Sequence, residues 1–472
     1  MALSTSKSLE NNTARNIAVN ALAEHQRTET FIQECLNDIF NSAKPDIKER
    51  NFATELAFGT MRHIITIDAI IDKFSQRPIN KIDKNMLHIL RVGMYQMLYL
   101  DGQQDHAVVF ETVQQVKAVI SSMGAHKFVN AILRNAQRAL EDNKTCSDYT
   151  NHRNVMWKRM NHAVLINENY LPNSKSNVEK FFSVAYSHPK WLADKWLKYY
   201  GKRKTHRLCL TNNERPLLTL RVNTLKTDAE SYGKKLTEMD MPFEKIEDVF
   251  LLLKPINPVL LPNYQEGHFS IQDLTATLVA QALDPKAGEN VLDMCAAPGG
   301  KTCHIAALMG DKGTILATDL FEEKLTPIKE NAKRLGIKSI KTELIDVLES
   351  GYTDSFDAIL IDAPCSNTGV FARRVEARYK LTPASIKKLV KTQNVILGKA
   401  ARLIKPGGRI LYSTCSIDPN ENERLINMFL SDNPNFTLEK EQLTLPQCQI
   451  DPETNKTTYW QDGGYYALLT SK

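Results

Sequence analysis

The sequence predicts an α/β protein whose C-terminal part is a doubly wound, Rossmann-like sheet, preceded by a small α/β module and an all-α N-terminal bundle. Three observations lead there. After Gln272 apolar strands alternate regularly with helical stretches, the pattern of a parallel sheet covered by helices. Residues 289–302 read as a strand, a small-residue turn and the start of a helix, the form of a nucleotide-binding first turn. Two cysteines, Cys365 and Cys415, each stand just past a strongly apolar strand.

In chain order, the first 140 residues carry apolar side chains at helical spacing. Met86, Leu90, Met94, Met97 and Leu98 mark one helix, and Val109, Val113, Val116 and Ile120 the next, which Gly124 is expected to end. A third runs through Phe128, Val129, Ile132, Leu133 and Ala136, so residues 1–142 should form a helical bundle. Residues 143–180 turn polar and Asn-rich and read as a linker, partly helical near Val155 to Met160. Residues 181–273 mix a helix through Leu192 to Tyr199 with strand-like runs at 217–222 and 249–253, a small α/β module. Residues 274–472 should hold strands near 290–294, 314–319, 342–346, 356–362 and 408–414, a helix over 383–403, and closing strands near Phe436 and 465–469.

Composition sets the broad class. With 42% hydrophobic and 24% charged residues the 472-residue chain is globular, and its length suggests two to four domains. No stretch approaches a secretory signal or a membrane span, so a cytoplasmic location is expected. The eight cysteines include no Cys-x-x-Cys pair and no zinc-ligand spacing; reduced thiols and no metal are expected. The net charge of +6 is uneven, with 17 basic and 16 acidic residues in 1–145, 19 and 14 in 146–275, and 24 of each in 276–472. Lys195, Lys198, Lys202, Arg203, Lys204 and Arg207 form the densest basic cluster, which suits either a phosphate backbone or a solvated helix face.

The chemistry concentrates in the last domain. Cys295-Ala296-Ala297-Pro298-Gly299-Gly300-Lys301 follows the first strand, and its glycines allow a ligand close to the backbone. Asp319, 19 residues beyond Gly300, ends the next strand, where Rossmann-type folds hold a ribose hydroxyl. Asp346 and Asp362 end the two strands after it. The turn lacks both the Gly-x-Gly-x-x-Gly pattern and a complete P-loop, which favours a nucleoside without phosphates. S-adenosyl-L-methionine fits that description. All eleven histidines lie at or before His304, so the cysteine loops contain no Cys-His pair. A thiolate there would need another source of positive charge, for which Lys301 is a candidate.

Asp-x-Cys-Ala-Ala-Pro-Gly-Gly-Lys-Thr at 293–302, Asp-Ala-Pro-Cys-Ser at 362–366 and Ser-Thr-Cys-Ser at 413–416 occur here in that order. In these segments the chain resembles the RNA cytosine-5 methyltransferases. Residues 49–62, 89–96 and 128–134 resemble the NusB-like domain fused to that enzyme in the bacterial Fmu/Sun (RsmB) group, whose substrate is 16S ribosomal RNA. The resemblance implies a Rossmann-like methyltransferase that acts on small-subunit RNA; a monomer is expected. It assigns the nucleophile to Cys415, a role in product release to Cys365, and contact with the edge of the base to Asp362. DNA cytosine methyltransferases, however, attack through a Pro-Cys cysteine similar to Pro364-Cys365. The same chemistry on transfer RNA or another ribosomal site, and an RNA-binding assembly factor with an inactive methyltransferase domain, are the alternative readings. Arg373, Arg374, Arg378 and Lys380 lie close after Cys365, in a loop suited either to gripping phosphates or to capping itself. Arg221 and Asn223 match a family element assigned to RNA contact.

Overall fold

The structure is a computed structural model that describes residues 9–10, 12–122, 124–140, 144–145, 152–345 and 351–472. The chain divides into two compact units, Met1–Glu214 and Arg215–Lys472.

The first unit opens with helices α1 (Ala14–Thr28), α2 (Ile32–Ala43), α3 (Ile47–Arg62), α4 (Ile64–Ser75), α5 (Lys84–Tyr99), α6 (Asp105–Val119) and α7 (Ala125–Leu140). Apolar side chains at three- and four-residue spacing, such as Ile17, Ala21, Ile89, Val92, Val129 and Ile132, are fully or almost fully buried between them. Gly124 does not end the helix before it: α6 closes at Val119, whose successor Ile120 is already extended, and α7 starts directly after the glycine.

The expected linker is more ordered than its polarity suggests. Strands β1 (Lys144–Thr145), β2 (Val155–Arg159) and β3 (His162–Leu165) form an antiparallel sheet, so residues 155–160 are not helical. Val155, Met156, Trp157, Ala163 and Val164 are buried, and cross-strand packing of β-branched and aromatic residues outweighs the surrounding asparagines. Helices α8 (Val178–Tyr186) and α9 (Lys190–Asn213) complete this unit. Hydrogen bonds from Ile65 N to Ser187 Oγ (3.0 Å) and from Thr66 Oγ1 to Val184 O (2.6 Å) tie the end of α8 to α4. The helix expected through Leu192 to Tyr199 therefore clusters with the bundle, while the strands of the small α/β module belong to the second unit.

That unit begins with β4 (Leu218–Val222), α10 (Ala229–Glu238), β5 (Phe243–Ile246), β6 (Val249–Leu252) and β7 (Phe269–Ile271), a four-stranded sheet in the order β5-β6-β4-β7. It continues through α11 (Leu274–Leu283), β8 (Asn290–Asp293), α12 (Gly300–Leu308), β9 (Thr314–Asp319), α13 (Glu322–Leu335), β10 (Ile340–Leu344), β11 (Phe356–Asp362), α14 (Ala377–Lys380) and α15 (Pro383–Leu403). Last come β12 (Ile404–Thr414), α16 (Glu423–Asp432), β13 (Phe436–Thr444), β14 (Gln447–Ile450), β15 (Thr457–Gln461) and β16 (Gly464–Ser471).

Seven strands form one sheet in the order β10-β9-β8-β11-β12-β16-β13. The first five are parallel, while β16 joins β12 and β13 antiparallel. Alternate residues feed two cores. Leu292, Ile359, Ile361, Ile410 and Tyr412 pack with residues of α15 and α16, whereas Val291, Ala358, Leu360 and Leu411 pack with residues of α11 and α12. The strand order reverses between β8 and β11, so the ligand crevice of such a sheet should open beyond the carboxyl ends of those two strands. No helix among the described residues is long and apolar enough to cross a membrane.

Candidate active site

The loop after β8 tightens at Gly299, whose φ of 95° is left-handed, and α12 begins at the next residue. Cys295, Ala296, Ala297, Pro298 and Gly300, together with Asp293, Lys301 and Asp362, line a cavity of about 290 Å³ that also receives Gln272, Asp273, Arg373 and Asp462. Asp293 is 1% exposed; its Oδ2 accepts a 2.7 Å hydrogen bond from Thr302 Oγ1, while Oδ1 has no partner among the described residues. Burial pushes its pKa up to about 7. Gln272 accepts from Arg221 Nε at 2.6 Å, and its own amide nitrogen is buried without a partner among the described residues. Two unspent polar atoms in a glycine-floored cleft fit a polar nucleoside-like ligand.

Beside the cavity, Lys301 Nζ meets Asp362 Oδ2 at 2.5 Å, and Ser413 Oγ donates to Asp362 Oδ1 at 3.1 Å. Burial works against the Lys301 charge, yet Asp362 and the neighbouring Cys415 thiol raise its pKa on balance. Asp319 ends β9 as expected, but it does not line the cavity; it pairs with Lys324 at 3.3 Å and accepts from Leu320 N at 2.8 Å. Asp346 lies outside the described residues. Cys295 is half-buried, and desolvation pushes its thiol well up.

The two strand-end cysteines meet. Strands β11 and β12 pair in parallel with Asp362 opposite Ser413, and Cys365 Sγ and Cys415 Sγ lie 3.1 Å apart. Cys415 Sγ also lies 3.2 Å from Asn367 Oδ1, and Asn367 Nδ2 donates to Cys365 O at 3.1 Å. The hydrogen bond with Cys415, burial and nearby negative charge together push the Cys365 pKa well up.

The arginines and the asparagine expected to contact RNA divide differently. Arg221 (3% exposed) and Asn223 (2%) are buried; Asn223 Nδ2 donates to Gly267 O (2.9 Å) and Leu335 O (3.0 Å), joining the small sheet to α13. Arg378 is fully buried, with Nη2 on Phe371 O at 3.2 Å. These three hold the fold, and phosphates do not reach them here. Arg373 Nε pairs with Asp462 at 2.6 Å, and its Nη2 lies 3.5 Å from Asp273. Arg374 is exposed and donates to Asn367 Oδ1 at 3.3 Å. Sequence reasoning missed Gln272, Asp273, Asn367 and Asp462, which reach the site from separate loops. Of these, only Asn367, two residues past Cys365, carried a local signal.

A doubly wound sheet closed by an antiparallel β16, with a glycine turn that lacks the dinucleotide pattern, fits the class of S-adenosyl-L-methionine-dependent methyltransferases, and the residues around the cavity suit that methyl donor. Residues 280–470 match the family described as 16S rRNA methyltransferase RsmB/F, residues 12–138 the NusB family, and residues 188–257 a ferredoxin-like domain of RsmF/B-like methyltransferases. The probable ribosomal RNA small subunit methyltransferase B of Bacillus subtilis is 34% identical over 441 residues, covering 91% of this chain and 90% of that protein. The ribosomal RNA small subunit methyltransferase B of Salmonella arizonae is 30% identical, with 90% and 91% covered. Among solved structures, PH0851 is 26% identical with a TM-score of 0.70, covering 98% of this chain and 100% of that one. A methyltransferase homolog from Pyrococcus horikoshii is 29% identical with a TM-score of 0.53, covering 63% and 100%. The chain belongs to the RsmB/F family of 16S rRNA methyltransferases.

Proposed function

We propose that this protein methylates carbon 5 of a cytosine in 16S ribosomal RNA, with Cys415 as the attacking nucleophile and Cys365 assisting release. The observation that carries the reading is the 3.1 Å approach of the two sulfurs at the ends of adjacent parallel strands. Carbon 5 of cytosine is a weak nucleophile. Attack of the Cys415 thiolate on carbon 6 forms a sulfur–carbon bond and moves the double-bond electron pair toward carbon 5. Bound S-adenosyl-L-methionine supplies an electrophilic methyl group on a sulfonium. Once carbon 5 carries both methyl and hydrogen, removal of that proton by Cys365, directly or through water, restores the double bond and expels Cys415 as thiolate.

Asp362, held by Lys301 and Ser413, would accept a hydrogen bond from the base edge and orient it. The Lys301 ammonium is close enough to Cys415 to interact with its charge. Exposed Arg374 and Lys380 are the residues of their loop best placed to touch backbone phosphates, and Arg373 supports the loop through its acid partners.

The test is a pair of variants assayed with labelled donor and RNA. Cys415→Ala should abolish both methyl transfer and any covalent RNA adduct. Cys365→Ala should leave attack intact and accumulate RNA-linked protein that survives denaturing electrophoresis. Swapped phenotypes would make Cys365 the nucleophile, and full turnover by either variant would contradict its role.

A further inference from the structure

Glu421 lies in the turn between β12 and α16, and its side chain is wholly buried. Its carboxylate gathers both cysteine loops. Oε1 accepts from Ser366 N at 2.9 Å, and Oε2 accepts from Ser416 Oγ at 2.6 Å and from Ser366 Oγ. Ser366 and Ser416 each directly follow a cysteine of the pair. Gln393 Nε2 of α15 adds a 3.0 Å bond to Oε1 and holds Pro364 O at 2.9 Å. The two serine hydroxyls also lie 3.1 Å apart, and Thr368 Oγ1 lies 2.9 Å from Ser416 Oγ.

Two amide donors on Oε1 and two hydroxyls on Oε2 give the group the partners that a carboxylate needs when buried. Burial pushes the Glu421 pKa up and these donors oppose it. Its partners are hydroxyls and amides, all uncharged, so a fixed negative charge stands behind the sulfurs. The two thiols do not share it equally. Cys365 interacts with Cys415 and with the charge of Glu421, whereas Cys415 interacts with the Lys301 ammonium, which pairs with Asp362.

We propose that Glu421 is a positioning residue that locks the two cysteine loops together and steers ionisation to Cys415 by keeping negative charge next to Cys365. The proposal rests on the reading of Cys415 as nucleophile, but its charge effect is measured on the thiols without RNA or donor. The experiment compares full-length wild type with Glu421→Gln, following iodoacetamide labelling of the Cys365 and Cys415 peptides by mass spectrometry across a range bracketing the ordinary thiol pKa of about 8.5. Loss of the carboxylate should move the labelling midpoint of Cys365 to lower pH. In turnover, kcat should fall about tenfold or more while KM for RNA stays within about twofold, the pattern of a disturbed reacting geometry with binding retained. Glu421→Asp should return the midpoint toward wild type.

A Ser366→Ala/Ser416→Ala double variant leaves the Glu421 side chain in place and removes two of the bonds that join the cysteine loops, so kcat should drop with KM for RNA within about twofold; this arm stands even if Glu421→Gln folds poorly. A Cys365 midpoint that stays or rises in Glu421→Gln, or wild-type kcat in the serine double variant, overturns the proposal. Full turnover by Cys415→Ala would instead overturn the assignment of the nucleophile, a separate result.

Discussion

Asp293 illustrates how a single side chain ties stability to the site. An ordinary aspartate titrates near pH ~3.9, whereas burial raises this one to about 7. Between those values the folded chain holds a proton that the unfolded chain has lost, so stability should fall as pH rises through that window. Asp293→Asn removes the titration, and the variant's thermal midpoint should vary less between pH ~4 and ~7 than that of the wild type. Identical pH profiles would contradict this. At this scale the sequence made some residues legible and concealed others. Cys365, Cys415 and Lys301 declared themselves because strand ends and a glycine turn placed them. Gln272, Asp462 and Glu421 did not, since folding brings them from distant loops and no local pattern marks them. Arg221 and Asn223 were expected at RNA from a family element and Arg378 from its loop beside Cys365, yet all three are buried, with donors on backbone carbonyls or a neighbouring amide.

Elements were more legible than residues where periodicity was strong. The helix Pro383–Leu403 has its expected bounds, with Pro383 in the first turn and a Thr382–Ser385 capping box fixing its start. Strands β8, β9 and β11 also lie where apolar runs placed them. Short antiparallel hairpins escaped, both β2–β3 and β14–β15, because four or five residues give little alternation and their stability comes from cross-strand partners. The turn between β8 and α12 carries the element-scale prediction. Gly299 has φ 95°, and an added Cβ would stand 3.1 Å from the Ile328 Cα of α13. Gly299→Ala should therefore cost about 1–2 kcal/mol or more and lower the denaturant midpoint with little change in slope. An unchanged midpoint would show that the turn tolerates a side chain.

Across the whole molecule, charge carries information that fold class does not. The excess of positive residues in 146–275 includes α9, where Lys202, Arg203, Lys204 and Arg207 are exposed beyond a kink at Gly201, while Lys198 before the kink pairs with Asp194 at 2.8 Å. If this face meets the RNA backbone, replacing Lys202 and Lys204 with glutamine should weaken RNA binding and flatten the dependence of log K on log salt by about 0.7–0.9 for each phosphate no longer neutralised. A slope equal to wild type would mark α9 as a solvated surface. The succession from helical bundle to small α/β sheet to doubly wound sheet was readable from periodicity, but the unit boundary at Glu214 was not. It follows from packing of α8 against α4 and α9, which no linear pattern announces.

The central claim is a transient bond from Cys415 to the cytosine ring. RNA carrying 5-fluorocytidine tests it most directly, because fluorine at carbon 5 cannot leave as a proton does, and the ring therefore stays attached to the attacking sulfur. Incubation with S-adenosyl-L-methionine, digestion and mass spectrometry should find the modified nucleotide on the Cys415 peptide. Attachment to Cys365, or no attachment by an enzyme that methylates ordinary RNA, would contradict the account.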